Sequence, residues 1–346
     1  MVLGVCGFGY SGSGAVLDWL KDYPEVLVSD KIEFSFLYKP DGIGDLGNAV
    51  CYQPVRYFSS DSAIRRFAQY MKRIRKSYNQ ITNGKFELLI DKYLNNVIQI
   101  KWKGSTSVHS YQSSTLDYIF RDRIPRKILT LLNHHLNVVF HGSHWPEKEM
   151  FFSVLNENDF LKYTKELVAN LIESLDGNKQ KDIIVLNQCF CANNPEMSFR
   201  YFEDPLAITV TRDPRDTYLL AKRALGYETS FIPKSNIADF IIYYRGLMES
   251  RKYRQNNEKV IEVKFEDLIY KPEATFNYLE KIIGLSHIDV KEFKHFKPEV
   301  SINNTQLWLK YPQYKKDIAS IEKELGEYLY PFDEFTLNPD FLSRTF

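Results

Sequence analysis

VLGVCGFGYSGSGAVLDWL, residues 2–20, changes character twice along its length. Residues 2–7 are a short apolar run, residues 7–14 set glycine between Phe8, Tyr10, Ser11 and Ser13, and Val16, Leu17 and Leu20 then share one face at helical spacing. The reading is strand, glycine loop, helix. Tyr23-Pro24 stops the helix, and Val26-Leu27-Val28 follows as a second strand. A β-α-β opening of this kind implies a parallel sheet. The loop between the first strand and its helix gathers backbone N–H groups around one point, which suits an anion such as phosphate.

Outward from this opening, the strand signal thins between residues 34 and 181, where amphipathic helical patterns dominate, such as Phe67, Met71, Ile74 and Tyr78 on one face. Short β-rich runs return at 182–186, 206–210 and 260–263, with helical patterns at 215–224, 236–253, 272–283 and 314–329. With no repeat, low-complexity tract or flexible linker, the chain reads as one α/β domain over 1–346. It has a P-loop-type parallel sheet flanked by helices, and a mainly helical insertion at 34–181 that is expected to form an acceptor cleft.

Composition narrows the function. Apolar residues make 44% and charged residues 26% of the 346, the balance of a globular chain. Forty-five basic against 44 acidic residues leave a net +1, so no global field draws nucleic acid or an anionic membrane. Four cysteines (Cys6, Cys51, Cys189, Cys191) are too few for a disulfide framework, and the lone C-x-C lacks the second pair of a structural zinc site. The opening has no signal-peptide pattern and no run of eighteen apolar residues occurs, so a bacterial cytoplasmic protein without membrane insertion is expected.

Two motifs carry chemistry. The glycine loop lacks the lysine of G-x-x-x-x-G-K-S/T that a kinase or NTPase places on the β and γ phosphates. The dinucleotide pattern G-x-G-x-x-G overlays Gly7, Gly9 and Gly12, with Asp30 past the second strand as a ribose ligand, and this alternative stays open alongside a tight turn with no ligand. The second motif, Thr211-Arg212-Asp213-Pro214-Arg215-Asp216, lies between an apolar strand and a helix. Its arginines suit a phosphate as forked donors. The competing reading has Asp213 capping a helix that starts at Pro214, with both arginines in ordinary ion pairs.

Taken together, these segments resemble the PAPS-dependent sulfotransferases, nearer the carbohydrate type than the cytosolic phenol type. That family carries a 5′-phosphosulfate loop after its first strand and R-D/N-P-R/K-D after a later one. Val263-Lys264-Phe265-Glu266-Asp267-Leu268 before Lys271-Pro272 is similar to its Y-E-D-L strand end, and Ser301 to Trp308 is similar to its C-terminal cofactor-covering loop. The resemblance implies that Gly9, Tyr10, Ser11, Gly12, Ser13 and Gly14 cradle the 5′-phosphate, that Arg212 pairs with the 3′-phosphate, that Phe265 stacks on adenine, and that Asn303 and Asn304 lie in the covering loop. It implies PAPS as donor, adenosine 3′,5′-bisphosphate as product, and no metal.

Several positions depart from the family pattern. Tyr10 stands where the family has a lysine or arginine before Ser-Gly, Leu220 replaces a serine two turns after Arg212, and Phe265 lacks the tyrosine hydroxyl. Sulfuryl transfer needs a base for the acceptor hydroxyl. The stretch 185–189 holds no histidine for that role, whereas Glu33 stands where the carbohydrate branch uses a glutamate, with Asp30 as rival. The acceptor is then expected to be a hydroxyl of a carbohydrate or glycoside. The alternatives are a non-catalytic nucleotide-binding module and a kinase or NTPase. His141 and His144 lack a third metal ligand at a recognisable spacing, and His109 and His134-His135 are uninformative. Arg65, Arg66, Lys72, Arg73, Arg75 and Lys76 read as a solvated helix face, with guidance of an anionic glycan as the other reading. Trp102, Tyr111 and Trp145 are candidate sugar-stacking rings.

Overall fold

The computed structural model describes residues 1–104, 106, 108, 114–136, 147–176, 181–223, 231–251 and 257–332. Its strands are β1 Val2–Gly7, β2 Val26–Ser29, β3 Ile100–Gly104, β4 Lys148–Phe152, β5 Ile183–Asn187, β6 Pro205–Thr211 and β7 Val260–Lys264. Its longer helices are α1 Ser13–Leu20, α2 Arg56–Ile81, α3 Phe86–Val97, α4 Ile124–Leu136, α5 Glu157–Asp176, α6 Pro214–Arg223, α7 Ile237–Ser250, α8 Pro272–Ile283 and α9 Lys315–Glu324. Two compact units result, Met1–Tyr38 with Leu175–Phe346, and Lys39–Ser174.

The first unit is the α/β sheet expected from the opening sequence. Five strands pair in the order β2-β5-β1-β6-β7, every pair parallel. The strands read as continuous apolar runs because both faces are covered. Leu3, Val5, Cys6, Val185, Ala207 and Ile208 are fully buried. Val16, Leu17, Trp19 and Leu20 of α1 pack with Phe276 and Leu279 of α8 in one core, and α6, α7 and α9 build a second around Tyr218 and Phe240. Helix α8 starts at Pro272 and ends at Gly284 in the left-handed region, φ 81°, the usual punctuation of a helix.

This topology places the site. Strand β1 is central, with β5 on one side and β6 on the other, and the chain crosses β1 between those two strands. In open parallel sheets a ligand settles outside the carboxyl ends at such a crossing, and here that position belongs to the glycine loop.

The second unit is mainly helical, and Phe67, Met71 and Tyr78 of α2 are buried as their spacing requires. It also holds an antiparallel β3-β4 pair, with Trp102 opposite Met150. The sequence reading missed this pair because Ile100-Lys101-Trp102-Lys103 exposes apolar and charged positions alike. The basic face of α2 is laced with ion pairs, Arg65 to Asp61, Arg66 to Asp41 and Arg75 to Glu87.

Candidate functional site

The loop after β1 turns sharply, Ser11 N–H donating to Phe8 O at 3.0 Å. Tyr10 and Gly12 both adopt left-handed backbone, φ 61° and 82°. Gly12 caps α1 with no side chain accepting from its first turn, so first-turn N–H groups face the loop. A Cβ on Gly12 would meet the Phe265 ring at 2.4 Å, and one on Gly7 would meet Ser11 Oγ at 2.2 Å, whereas a Cβ on Gly14 would meet nothing within 4 Å. Gln188 of the β5 end supports the loop: its Oε1 accepts from Gly7 N and its Nε2 donates to Ser13 Oγ.

Arg212 reaches this loop from the end of β6. Its Nη1 donates to Tyr10 O at 3.1 Å and its Nη2 to Asn304 O, so one buried guanidinium ties the glycine loop to the 302–304 turn. The guanidinium lies over the Phe265 ring at 4.5 Å, and Phe265 is 4% exposed. Burial pulls the Arg212 pKa down, while Asp216, Glu266 and Asp213 favour its charge. Arg212 Nε, Ser11 Oγ and Asn303 Oδ1 are buried without a hydrogen-bond partner. Such atoms are rare in native interiors and call for an explanation. A cavity of about 10 Å³, the size of one water, is lined by Gly9, Ser11, Arg212 and Thr217 and, for the greater part, by the apolar side chains of Phe8, Ile232, Leu247 and Met248.

The rest of the second motif is scaffolding. Asp213 Oδ1 accepts from Arg215 N at 2.8 Å, capping the Pro214-started α6. The Arg215 guanidinium grips both Asp213 oxygens at 3.0 and 2.8 Å, pairs with Glu322 and stacks on Trp308 at 3.8 Å. Arg215 is therefore committed to α6 and α9, and of the two arginines only Arg212 points at the loop. Asp216 accepts from Gln306 N and Leu307 N at 2.9 and 2.7 Å, fastening the 302–309 segment over α6. Glu266 accepts from Asp213 N at 2.9 Å with its second oxygen unpaired. Burial, and next the neighbouring Asp213 charge, push the Glu266 carboxyl up to about 8. Burial likewise raises Asp216, against the pull of Arg212.

Tyr10, Gln188 and Gln306 are the described non-glycine residues of this unit with positive φ, and all three border this edge of the sheet. Each left-handed residue costs about 1–2 kcal/mol, and each is held by a bond described above: Arg212 on Tyr10 O, the loop on the Gln188 amide, Asp216 on Gln306 N. Strain held in place this way concentrates at functional sites. The roles of Gln188, Asp216 and Glu266 escaped the sequence reading. For Asp216 and Glu266 the available signal was an acidic residue inside each recognised motif.

Glu33 is exposed, and Phe34 N donates to Asn187 O at 2.8 Å, which sets Glu33 beside the β5 end and next to Gln188. Asp30 is paired with Lys21 at 2.5 Å. Leu220 is half-buried and packs, like Tyr10, against the α6-α7-α9 core. Cys6 and Cys189 are buried, and burial pushes the Cys6 thiol up to about 12, so neither is a ready nucleophile. No group of three potential metal ligands occurs among the described residues. Trp102 is exposed, while His109, Tyr111, His141, His144 and Trp145 lie outside the described residues.

No protein-family model matches the chain, and no curated protein matches it. Among solved structures it is similar to the sulfotransferase STF1 from Mycobacterium tuberculosis H37Rv, at 12% identity and a TM-score of 0.34, over 88% of this chain and 76% of that one.

Proposed function

We propose that the protein is a sulfotransferase that takes PAPS as donor and a carbohydrate or glycoside hydroxyl as acceptor. The observation that carries this reading is the convergence of Arg212 and Ser11 on one cavity, each with a buried, unpartnered polar atom, beside a helix start capped only by glycine. A cavity of that size admits a single water or ligand atom, so the reading takes the two buried groups separately, Ser11 for one phosphate of the donor and Arg212 for the other.

In this reading the loop Gly9–Gly14 holds the 5′-phosphosulfate through backbone N–H groups and the Ser11 and Ser13 hydroxyls. Arg212 holds the 3′-phosphate with the N–H groups its two carbonyl bonds leave over, and Asn303 and Asn304 cover it. Phe265 supports Gly12 and the Arg212 guanidinium, so it would back the nucleotide site through them rather than offer an open face to adenine. Bound there, PAPS would supply the sulfuryl group and leave as adenosine 3′,5′-bisphosphate. Glu33 accepts the acceptor hydroxyl's proton as general base.

Calorimetric titration with adenosine 3′,5′-bisphosphate in EDTA tests the donor site, and binding undiminished by the chelator is expected. A strict divalent-metal requirement would instead point to a kinase or NTPase. One observation favours a second reading. Tyr10 stands where a cation would stabilise the leaving group, and it stacks on Phe231 at 6.1 Å, as suits a nucleotide-binding module without transfer. A sulfate-transfer assay across glycoside acceptors separates the two.

A further inference from the structure

Residues 115–136 of the Lys39–Ser174 unit run as one helical stretch, Thr115–Tyr118, a π-helical turn Ile119–Arg123, and α4. Leu116, Phe120, Ile124, Ile128, Leu131 and Leu132 recur along it at the spacing of a stripe meant for burial. They are exposed instead: Leu116 by 67%, Phe120 by 65%, Leu131 by 58% and Ile128 by 51%. Strand β3 of the same unit exposes Ile100 and Trp102 as well. Scattered apolar residues on a surface mean little, but a continuous stripe marks an interaction face.

Charge identifies the occupant. Between residues 100 and 136 the sequence holds Lys101, Lys103, Arg121, Arg123, Arg126 and Lys127 against Asp117 and Asp122, a net +4 in a chain whose total is +1. The remainder of the chain is thus at −3. A second copy docking segment on segment would bring two like net charges together, which disfavours self-association. An apolar stripe with phenylalanine and leucine, basic residues in the same segment and a tryptophan nearby matches helices that lie in the plane of an anionic bilayer. No described helix is long and apolar enough to cross a membrane, and a helix lying flat needs no such length.

We propose that residues 115–136, assisted by Trp102, bind this unit to an anionic lipid surface. The inference stands independently of the donor chemistry. The test is flotation of the full chain with phosphatidylcholine vesicles and with vesicles containing phosphatidylglycerol. Binding to the anionic vesicles, weakened by salt and absent from phosphatidylcholine alone, is expected. Replacing Arg123 and Lys127 together by glutamine should weaken binding by about 25-fold, since each cation near such a surface contributes about fivefold. Phe120→Ser with Leu131→Ser should abolish it, and the exposure of both residues leaves the fold intact, checked by circular dichroism. Absence of wild-type binding at low salt would overturn the proposal, as would variants that bind like wild type. A dimer that Phe120→Ser with Leu131→Ser dissociates, without vesicle binding, would assign the face to a second copy instead.

Discussion

Arg212 is held by carbonyls of two segments and balances three carboxylates, so its substitutions separate structure from binding only when chosen by charge. Alanine would remove the cation that Asp216, Glu266 and Asp213 face, together with both carbonyl bonds, so a loss of binding could not be told from a loss of structure. Lysine keeps the charge and loses the planar fork. Arg212→Lys is therefore expected to stay folded and to weaken adenosine 3′,5′-bisphosphate about tenfold or more. Adenosine 5′-phosphosulfate, which lacks the 3′-phosphate, should change little. Equal weakening of both ligands in calorimetry would remove Arg212 from the 3′-phosphate. Glu33 is a different kind of residue, exposed beside the β5 end. Glu33→Gln should lower kcat by about 100-fold or more while donor affinity is kept. Near-normal turnover would move the base elsewhere.

The loop and helix α1 form the element that presents the site, and two of its glycines make opposite demands. Gly12 is left-handed and covered by the Phe265 ring. Gly12→Ala would add the left-handed penalty of about 1–2 kcal/mol to a clash with a ring that Arg212 also covers, so the thermal midpoint should fall and nucleotide binding with it. Gly14, exposed in the first turn of α1, has open space where its side chain would go. Gly14→Ala should leave stability equal or raised by up to about 1 kcal/mol, the helix-propensity gain. If a phosphate approaches the backbone there, the same variant binds nucleotide more weakly. Unchanged affinity in Gly14→Ala would place the anion away from the helix start. The fastening of the 302–309 segment by Asp216 belongs to this scale too, because it sets where Asn303 and Asn304 stand relative to the loop.

At the scale of the whole molecule, the buried carboxylates make stability depend on pH. Glu266 has a folded pKa of about 8 against an ordinary 4.5. A raised pKa contributes stability that is complete below the unfolded value and is lost as pH climbs through the folded value, by about 1.4 kcal/mol per pH unit for each proton released. Asp216 is shifted in the same direction, and so is exposed His287, raised by its hydrogen bond to Glu280. The urea midpoint should thus fall between about pH 5 and 8. Glu266→Gln retains an acceptor for Asp213 N and carries no charge, so it should flatten part of that slope and be the more stable protein at pH 8. A variant with the wild-type slope would mean that Glu266 is already ionised at neutral pH.

The parallel sheet and its glycine loop were legible along the chain because their signals are local. Apolar runs of strand length, glycines at a strand end and Pro272 at a helix start each act within a few residues. Cap geometry was legible for the same reason, and Asp213-Pro214 starts α6 as that reading allowed. The β3-β4 pair was not, since a strand exposed along its length lacks the alternation that betrays a half-buried one. Nor could the sequence divide labour between Arg212 and Arg215. Both sit in one motif with the same chemistry, and the difference arises because α9 brings Glu322 to Arg215 while the β1 loop brings Tyr10 O to Arg212. Which charge is spent on the scaffold and which is left with an unpartnered N–H depends on contacts between residues about a hundred or more positions apart, and those exist only once the chain has packed.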